Sequence, residues 1–171
     1  MKNLKKFVAL LLAGAMAMVM LTACGGGNVT DDKKQELAYK RISGSKQVNS
    51  ASVTENDREL QNTAKKWLHH DLNGSVDFLG AKWVAGFHVE GKDKEYLTIT
   101  ATSSYKAGFI LTSLLDGLQA WVGSEELPDT NVNLKANGSW TKLGVVVETD
   151  PNTKQSYMAI SFKIANPNYG K

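Results

Sequence analysis

Two pairs of segments alternate apolar and polar residues, which is typical of strands that bury one face. The first pair is 82–89 and 96–101, separated by a short polar run. The second pair is 140–148 and 155–164, with the turn-forming sequence Asp-Pro-Asn-Thr over 150–153 between its members. The alternation therefore predicts two β-hairpins.

Two other stretches repeat apolar residues at the three- and four-residue spacing of an amphipathic helix. The first begins with a capping-box pattern at Ser52 and ends at Asn73-Gly74. The second, 104–122, carries the longer apolar stripe, and the polar stretch 124–139 that follows predicts a loop. The order helix, hairpin, helix, hairpin indicates an α+β domain with helices packed on an antiparallel sheet.

The first 23 residues have the three parts of an export signal. Basic residues open the chain, and an apolar core follows at 7–21. This core is shorter than a membrane-spanning helix, which needs about 20 apolar residues. The sequence Leu21-Thr22-Ala23-Cys24 then resembles the lipobox of bacterial lipoproteins. The resemblance implies cleavage before Cys24 and lipidation of its thiol. It implies a protein anchored to the cell membrane through its N-terminal lipid, facing the extracellular side, or the periplasm in a Gram-negative cell.

The predicted anchor divides the chain into three parts. Residues 1–23 are the signal peptide, 24–51 are the lipidated cysteine and a flexible linker, and 52–171 are a single α+β domain. Glycine and serine make the linker flexible, although 35–42 has a weak helical pattern. The alternative for Cys24 is an ordinary signal peptide followed by a free cysteine. As the only cysteine, Cys24 excludes a disulfide within the monomer, and we expect no disulfide-linked partner.

The charge of the chain argues against nucleic acid as a partner. The formal net charge is +3, but three of the 20 Lys and Arg residues lie in 1–23, which leaves 17 against 17 acidic residues. The basic character therefore belongs to the export signal and does not indicate a polyanionic partner.

The sequence His69-His70-Asp71 is the one place where metal-ligand residue types are adjacent. Neighbouring helical residues point about 100° apart, so the two histidines cannot chelate one ion together. His88, on a predicted strand, is able to join one of them in space, but the alternative is a solvated helix end. A cysteine-type zinc site is excluded if Cys24 is lipidated. We expect no cofactor and leave a metal open.

Other candidate residues have structural readings beside their functional ones. Four tryptophans are able to line a groove for sugar or peptide. Trp67 and Trp121 fall on apolar helix faces, so Trp140, beside Asn137-Gly138-Ser139, is the better candidate for an exposed ring. The carboxylates Asp93, Glu95, Glu125 and Glu126 are assigned to a hairpin tip and a loop instead of acid–base chemistry.

Three segments carry a family resemblance: Ala120-Trp121-Val122-Gly123-Ser124, then 142–147, then 157–162. They resemble the helix end and final strands of the CAP superfamily of SCP-like extracellular domains, and 60–70 resembles its first helix. The resemblance implies an α-β-α sandwich. The sequence departs from the family at Leu127, where the family has a histidine, and at 100–103, where its Gly-Glu-Asn motif is missing.

Three functions remain open at this point. The first is a non-catalytic, CAP-like surface domain that binds a peptide, protein or glycan of the envelope or its surroundings. The second is a cystatin- or NTF2-like binding or inhibitory module. The third is a hydrolase or metal-dependent enzyme built on His69, His70, His88 and the carboxylates. Catalysis needs proton-transfer groups or ligands that converge in space, and the sequence favours a protein that is not an enzyme.

Overall fold

The computed structural model describes residues 29–75, 77–78, 81–82, 84–105 and 132–171. Its elements, in chain order, are helices α1 (Asp31–Ser43) and α2 (Arg58–Gly74) and strands β1 (Asp77–Phe78), β2 (Ala81–Lys82), β3 (Ala85–Glu90), β4 (Tyr96–Ser104), β5 (Trp140–Thr149) and β6 (Ser156–Ala165). The helix expected over 104–122 lies outside the described residues except at its start, where Ser104 ends β4.

Four strands form one antiparallel sheet in the order β3-β4-β6-β5. Both predicted hairpins are confirmed, because β3 pairs with β4 and β5 pairs with β6. The central pair, β4 and β6, joins them in a register that sets Ile99 opposite Phe162. Strands β1 and β2 pair separately. Within the described ranges, none of the helices has the length and apolar character needed to span a bilayer.

One face of the sheet carries the main core. Alternating residues of the three longer strands point to this face and are buried, among them Ile99, Val145 and Ile160. Helix α1 packs here through Ala38 and Ile42, whose exposed fractions are 1% and 2%. The buried faces predicted for the second hairpin are therefore confirmed.

Helix α2 covers the opposite face. Ala64 and Leu68 form a second cluster with Val146, Tyr157 and Ala159. The remaining described residues of that cluster are Val84 and, at its margin, Leu72. The sheet thus lies between one helix on each face, and the expected α+β fold with helices on an antiparallel sheet is confirmed.

The segment 31–50 differs from the expectation of a flexible linker over 24–51. It forms α1 and then runs along the outer edge of β5, where Val48 pairs with Trp140. Side chains of α1 hydrogen-bond that edge: Gln35 Oε1 accepts from Val147 N at 3.2 Å and Asp31 Oδ2 from Thr149 N at 2.8 Å. These bonds satisfy the free N–H groups of an edge strand, which otherwise invite association. They hold the segment as part of the fold.

Helix α2 begins later than the capping box at Ser52 predicted. Its N-cap is Asp57, whose carboxylate accepts from Leu60 N at 3.0 Å. The residues before it continue along β5, since Asn56 exchanges two hydrogen bonds with the backbone of Val145. Pairing with the sheet edge therefore replaces the expected first turn of the helix. The predicted end at Gly74 is confirmed.

Candidate functional site

The C-terminal turns of α2 meet the outer strand β3 at a cluster of two histidines and an aspartate. His88 Nε2 lies 3.0 and 2.9 Å from the two carboxylate oxygens of Asp71. His70 Nδ1 lies 3.1 Å from Asp71 Oδ1. Asp71 and His88 are largely buried, with exposed side-chain fractions of 12% and 16%, whereas His70 is 68% exposed. Two of the three side chains, those of Asp71 and His88, are thus largely buried, and that of His70 is open to solvent.

The sheet shapes the position of Asp71. Thr102 Oγ1, on β4, donates a hydrogen bond of 2.5 Å to Asp71 Oδ2. Burial alone would raise the pKa of Asp71, but hydrogen bonds from Thr102, His88 and His70, together with the charge of His88, hold that pKa below its usual value. The carboxylate is therefore kept ionised and aimed at His88.

Trp67 fixes the His88 ring from the other side. The two rings stack with centroids 3.7 Å apart and an interplanar angle of 10°. The His70 ring meets Trp67 edge-on at 5.3 Å. Trp67 is half-buried, in agreement with an inward-facing residue, and its Nε1 has no hydrogen-bond partner among the described residues. Stacking and the bonds to Asp71 together restrict the orientation of the imidazole.

The cluster supplies the ligand types of a metal site. His70, Asp71 and His88 each offer one nitrogen or oxygen ligand atom, and these atoms lie within 4.8 Å of one another. The sequence suggested that His88 is able to join one of the adjacent histidines, and the structure brings it to His70. It also brings in Asp71, which the sequence offered only as a ligand-type neighbour of the two histidines, and Thr102, which sequence reasoning did not select.

His69 belongs to a different group. Its Nε2 lies 2.6 Å from Glu148 Oε2, on β5, and Lys65 Nζ lies 2.8 Å from Glu148 Oε1. Burial alone would raise the pKa of Glu148, but hydrogen bonds and charges from Lys65 and His69 lower it overall. The expected divergence of His69 and His70 is confirmed, since His69 contacts Glu148 on β5 and His70 contacts Asp71 on α2.

A groove adjoins this second group. It encloses about 350 Å³ between the end of α2 and the β5–β6 turn. Its lining residues are His69, Leu72, Asn73, Lys82, Glu148, Thr149, Asp150, Pro151 and Tyr157. The pKa of Asp150 is lowered by backbone hydrogen bonds from Asn152 and Thr153, with a smaller contribution from the charge of Lys82. The groove is thus lined by the ammonium group of Lys82 and by the carboxylates of Glu148 and Asp150.

The structure contradicts the expectation of an exposed ring at Trp140. Its exposed fraction is 1%, its ring stacks on Phe162 at 3.8 Å, and its Nε1 donates to Leu134 O at 3.1 Å. The polar sequence before Trp140 is a turn, but the residue itself starts β5 beside the 47–49 segment. Asp93 and Glu95 lie at the hairpin tip as expected.

Several other sequence candidates lie outside the described residues: Cys24, Trp83, Trp121, Glu125, Glu126 and Leu127. Comparisons of the chain with protein-family models, with curated proteins and with solved structures found no match.

Proposed function

We propose that the protein is a surface lipoprotein whose α+β domain binds a charged peptide of the cell envelope. The groove beside His69 and Glu148 is the observation that carries the binding part of this proposal. Its size is at the lower end of the range for small-ligand sites, about 300–1,000 Å³. The anchoring part rests on Leu21-Thr22-Ala23-Cys24.

The chemistry of the groove favours a ligand with both signs of charge. Lys82 offers an ammonium group to a carboxylate, and Asp150 offers a carboxylate to an amine, whereas the carboxylate of Glu148 is already paired with Lys65 and His69. Asp150 lies on the exposed turn, where the backbone N–H groups of Asn152 and Thr153 hold it ionised. Paired groups of this kind recognise a short peptide with free amino and carboxyl groups.

The same lining disfavours a glycan, which sites commonly hold by stacking on an exposed aromatic ring. Among the described lining residues, the single tyrosine, Tyr157, is fully buried, with its hydroxyl 2.9 Å from Gln155 Oε1, and the imidazole of His69 is paired with Glu148. Among the described residues, the exposed tyrosines are Tyr96 and Tyr169. Tyr96 pairs with Ala165, at the opposite end of β6 from Tyr157.

A helix on each face supports the CAP-like arrangement over a cystatin- or NTF2-like one. In the latter a single sheet wraps around one helix. Here Ala38 of α1 and Ala64 of α2 pack on opposite faces of the same sheet. The proposed CAP-like domain presents its groove at the end of α2, and it needs no reaction to act as a receptor for a peptide.

Labelling cells with radioactive palmitate tests the anchor. The protein should incorporate the label, and Cys24→Ala should abolish incorporation because no other thiol is present. Labelling that persists after the substitution would refute lipidation at Cys24.

Calorimetric titration tests the groove with two probes, the tripeptide alanyl-glutamyl-lysine and the neutral sugar tetra-N-acetylchitotetraose. We expect the peptide to bind and the sugar to give no heat. Lys82→Ala and Asp150→Asn should each weaken binding by about 10–100-fold, the equivalent of one charge-assisted hydrogen bond. Lys92→Ala, on the β3–β4 turn, is the matched control. Binding of the sugar alone, or equal effects of all three substitutions, would contradict the peptide assignment.

A further inference from the structure

The cluster of His70, Asp71 and His88 lies outside the proposed peptide groove, and its ligand is a separate question. His69, the neighbour of His70, faces the groove and Glu148 instead. Two imidazoles and a carboxylate from α2 and β3 converge where the helix ends against the edge of the sheet. Asp71 and His88 are 17 residues apart in the chain, and such a set of ligand types brought together by the fold is a typical arrangement for a metal ion.

The site is built from the inside outwards. Asp71 Oδ2 accepts from Thr102 Oγ1, so the carboxylate has a partner behind it in the sheet. Trp67 stacks on His88 and holds that ring in the plane needed to face Asp71. Metal sites commonly have such supporting bonds behind the ligands, and they tune affinity. The supports are present here for the two buried ligands.

Gly86 provides the space that Asp71 occupies. A Cβ atom at Gly86 would overlap the Asp71 carboxylate and lie 2.6 Å from Thr102 Oγ1. The strand therefore has no side chain at the one position where the helix carboxylate must reach into the sheet. The missing side chain explains how an aspartate at the end of a helix becomes largely buried next to an imidazole, with 12% of its side chain exposed.

The remaining ligand is able to move onto the ion. Zinc bonds to histidine and carboxylate are about 2.0–2.2 Å long, so ligand atoms around a tetrahedral ion stand about 3.3–3.6 Å apart. His88 Nε2 and Asp71 already lie 2.9–3.0 Å apart. His70 and Asp71 are neighbours on α2, but their side chains converge, with His70 Nδ1 3.1 Å from Asp71 Oδ1, and the 68% exposed side chain of His70 has room to adjust to an ion. Before coordination, the hydrogen on His88 Nε2 moves to Nδ1 or to solvent.

From this geometry we propose that His70, Asp71 and His88 form a binding site for one divalent transition-metal ion, with zinc as the best match. Nitrogen ligands from two histidines select zinc, copper or nickel over magnesium and calcium, which prefer oxygen. Three protein ligands leave one position of a tetrahedral ion open to solvent. The ion would tie the end of α2 to β3.

The test is calorimetric titration of the full chain in mild detergent with zinc chloride alone. The background substitution Cys24→Ser removes the single thiol, which would otherwise compete for zinc. We expect one ion per chain at micromolar zinc, no comparable heat with magnesium, and a rise in the melting temperature on loading. In nuclear magnetic resonance spectra, the imidazole signals of His70 and His88 should shift while those of His69 stay in place.

Four substitutions locate the ion. His70→Ala and His88→Gln should each weaken zinc binding at least tenfold, and Thr102→Val should weaken it by about 10–100-fold. His69→Ala is the matched control and should leave the affinity unchanged. Because His70 is exposed, its substitution tests the site without risk to the fold, which melting curves in EDTA verify for each variant.

Three results would overturn the proposal. The first is the absence of zinc binding in the Cys24→Ser chain. The second is an affinity that survives both His70→Ala and His88→Gln. The third is an equal loss in His69→Ala, which would move the ion to His69 and Glu148.

Discussion

Gly86 and Asp71 share one space: the helix carboxylate occupies the position where a side chain on the strand would begin. A Cβ atom on Gly86 would overlap Asp71 Oδ2, the same oxygen that accepts from Thr102. The pairing of His88 with Asp71 thus depends on a residue that makes no polar contact with either of them. Gly86 is therefore the position at which the cluster can be broken while its ligands remain unchanged.

Gly86→Ala should displace the Asp71 carboxylate and separate it from His88. The atoms it meets are the ends of side chains, which rotate away, so we expect the fold to survive with a modest loss of stability, about 1–3 kcal/mol. The measurement is the imidazole spectrum of His88 together with a urea unfolding curve. An unchanged His88 signal in the folded variant would contradict this account.

Gly144→Ala should be much more damaging, although it is the same chemical change. Its Cβ would lie 2.5 Å from the backbone carbon of Leu60 and 2.6 Å from Gln61 N, and backbone does not rotate away. We expect the added methyl group to push α2 away from β5. The protein should lose about 3 kcal/mol of stability or more, the upper end of the range for overpacking a core. Gly74→Ala, with open space around it, is the control and should be neutral or stabilising by up to about 1 kcal/mol. Equal unfolding midpoints for the two variants would refute the close approach.

Ile42→Ala should destabilise the whole domain by about 2–5 kcal/mol, because Ile42 is buried against the sheet from α1. Leu37→Ala, on the exposed side of the same helix, should change stability by less than about 0.5 kcal/mol. Thermal unfolding of both variants measures the difference. If α1 were not part of the cooperative unit, the two substitutions would have the same small effect.

Acid should weaken the cap of α2. Burial alone would raise the pKa of Asp57, but hydrogen bonds from Leu60 N and Lys142 hold that pKa below its usual value. A pKa lowered in the folded state stabilises the protein at pH values above the pKa of the unfolded chain, and this contribution is lost as the pH falls through the folded pKa. The wild type should therefore be more stable than Asp57→Asn at about pH 5, and this difference in the free energy of unfolding should shrink as the pH is lowered to about 2. Urea unfolding curves at each pH measure the difference.

Lys142 provides the check on this interpretation. Its Nζ lies 3.1 Å from Asp57 Oδ2, and Lys142→Met removes that charge. In the Lys142→Met background the difference due to Asp57→Asn should depend less on pH. If the stability difference between the wild type and Asp57→Asn did not change with pH, the proposed link between the ionisation of Asp57 and stability would be wrong.

Local patterns were sufficient for the strands but not for α1. The hairpins are encoded by alternation within each strand, so β3 to β6 follow from the sequence. Helix α1 buries only Ala38 and Ile42, and its Leu37 faces outwards, so its apolar stripe is weak. Its position depends on polar bonds from Asp31 and Gln35 to β5, which are distant in sequence.

The site shows the same limit. The sequence predicted that His69 and His70 diverge, because that follows from the geometry of one helix. It did not predict that Gly86 leaves space for Asp71 or that Thr102 donates a hydrogen bond to it. Both depend on the register between β3 and β4, in which Gly86 lies opposite Thr102. The prediction of an exposed ring at Trp140 was wrong for a related reason. Its neighbours in sequence are polar, but the residue that packs against it is Phe162.

If lipid holds Cys24 as proposed, the bond between Asp31 and Thr149 limits how far the domain stands from the bilayer. The chain would then be held at Cys24 and again at Asp31, whose carboxylate accepts from Thr149 N at 2.8 Å. Seven residue steps separate the two positions, and fully extended they span about 25 Å. Thr149 itself lines the groove. Under the proposed lipidation, the groove would lie within a few nanometres of the lipid surface, and the proposed ligand would be bound there.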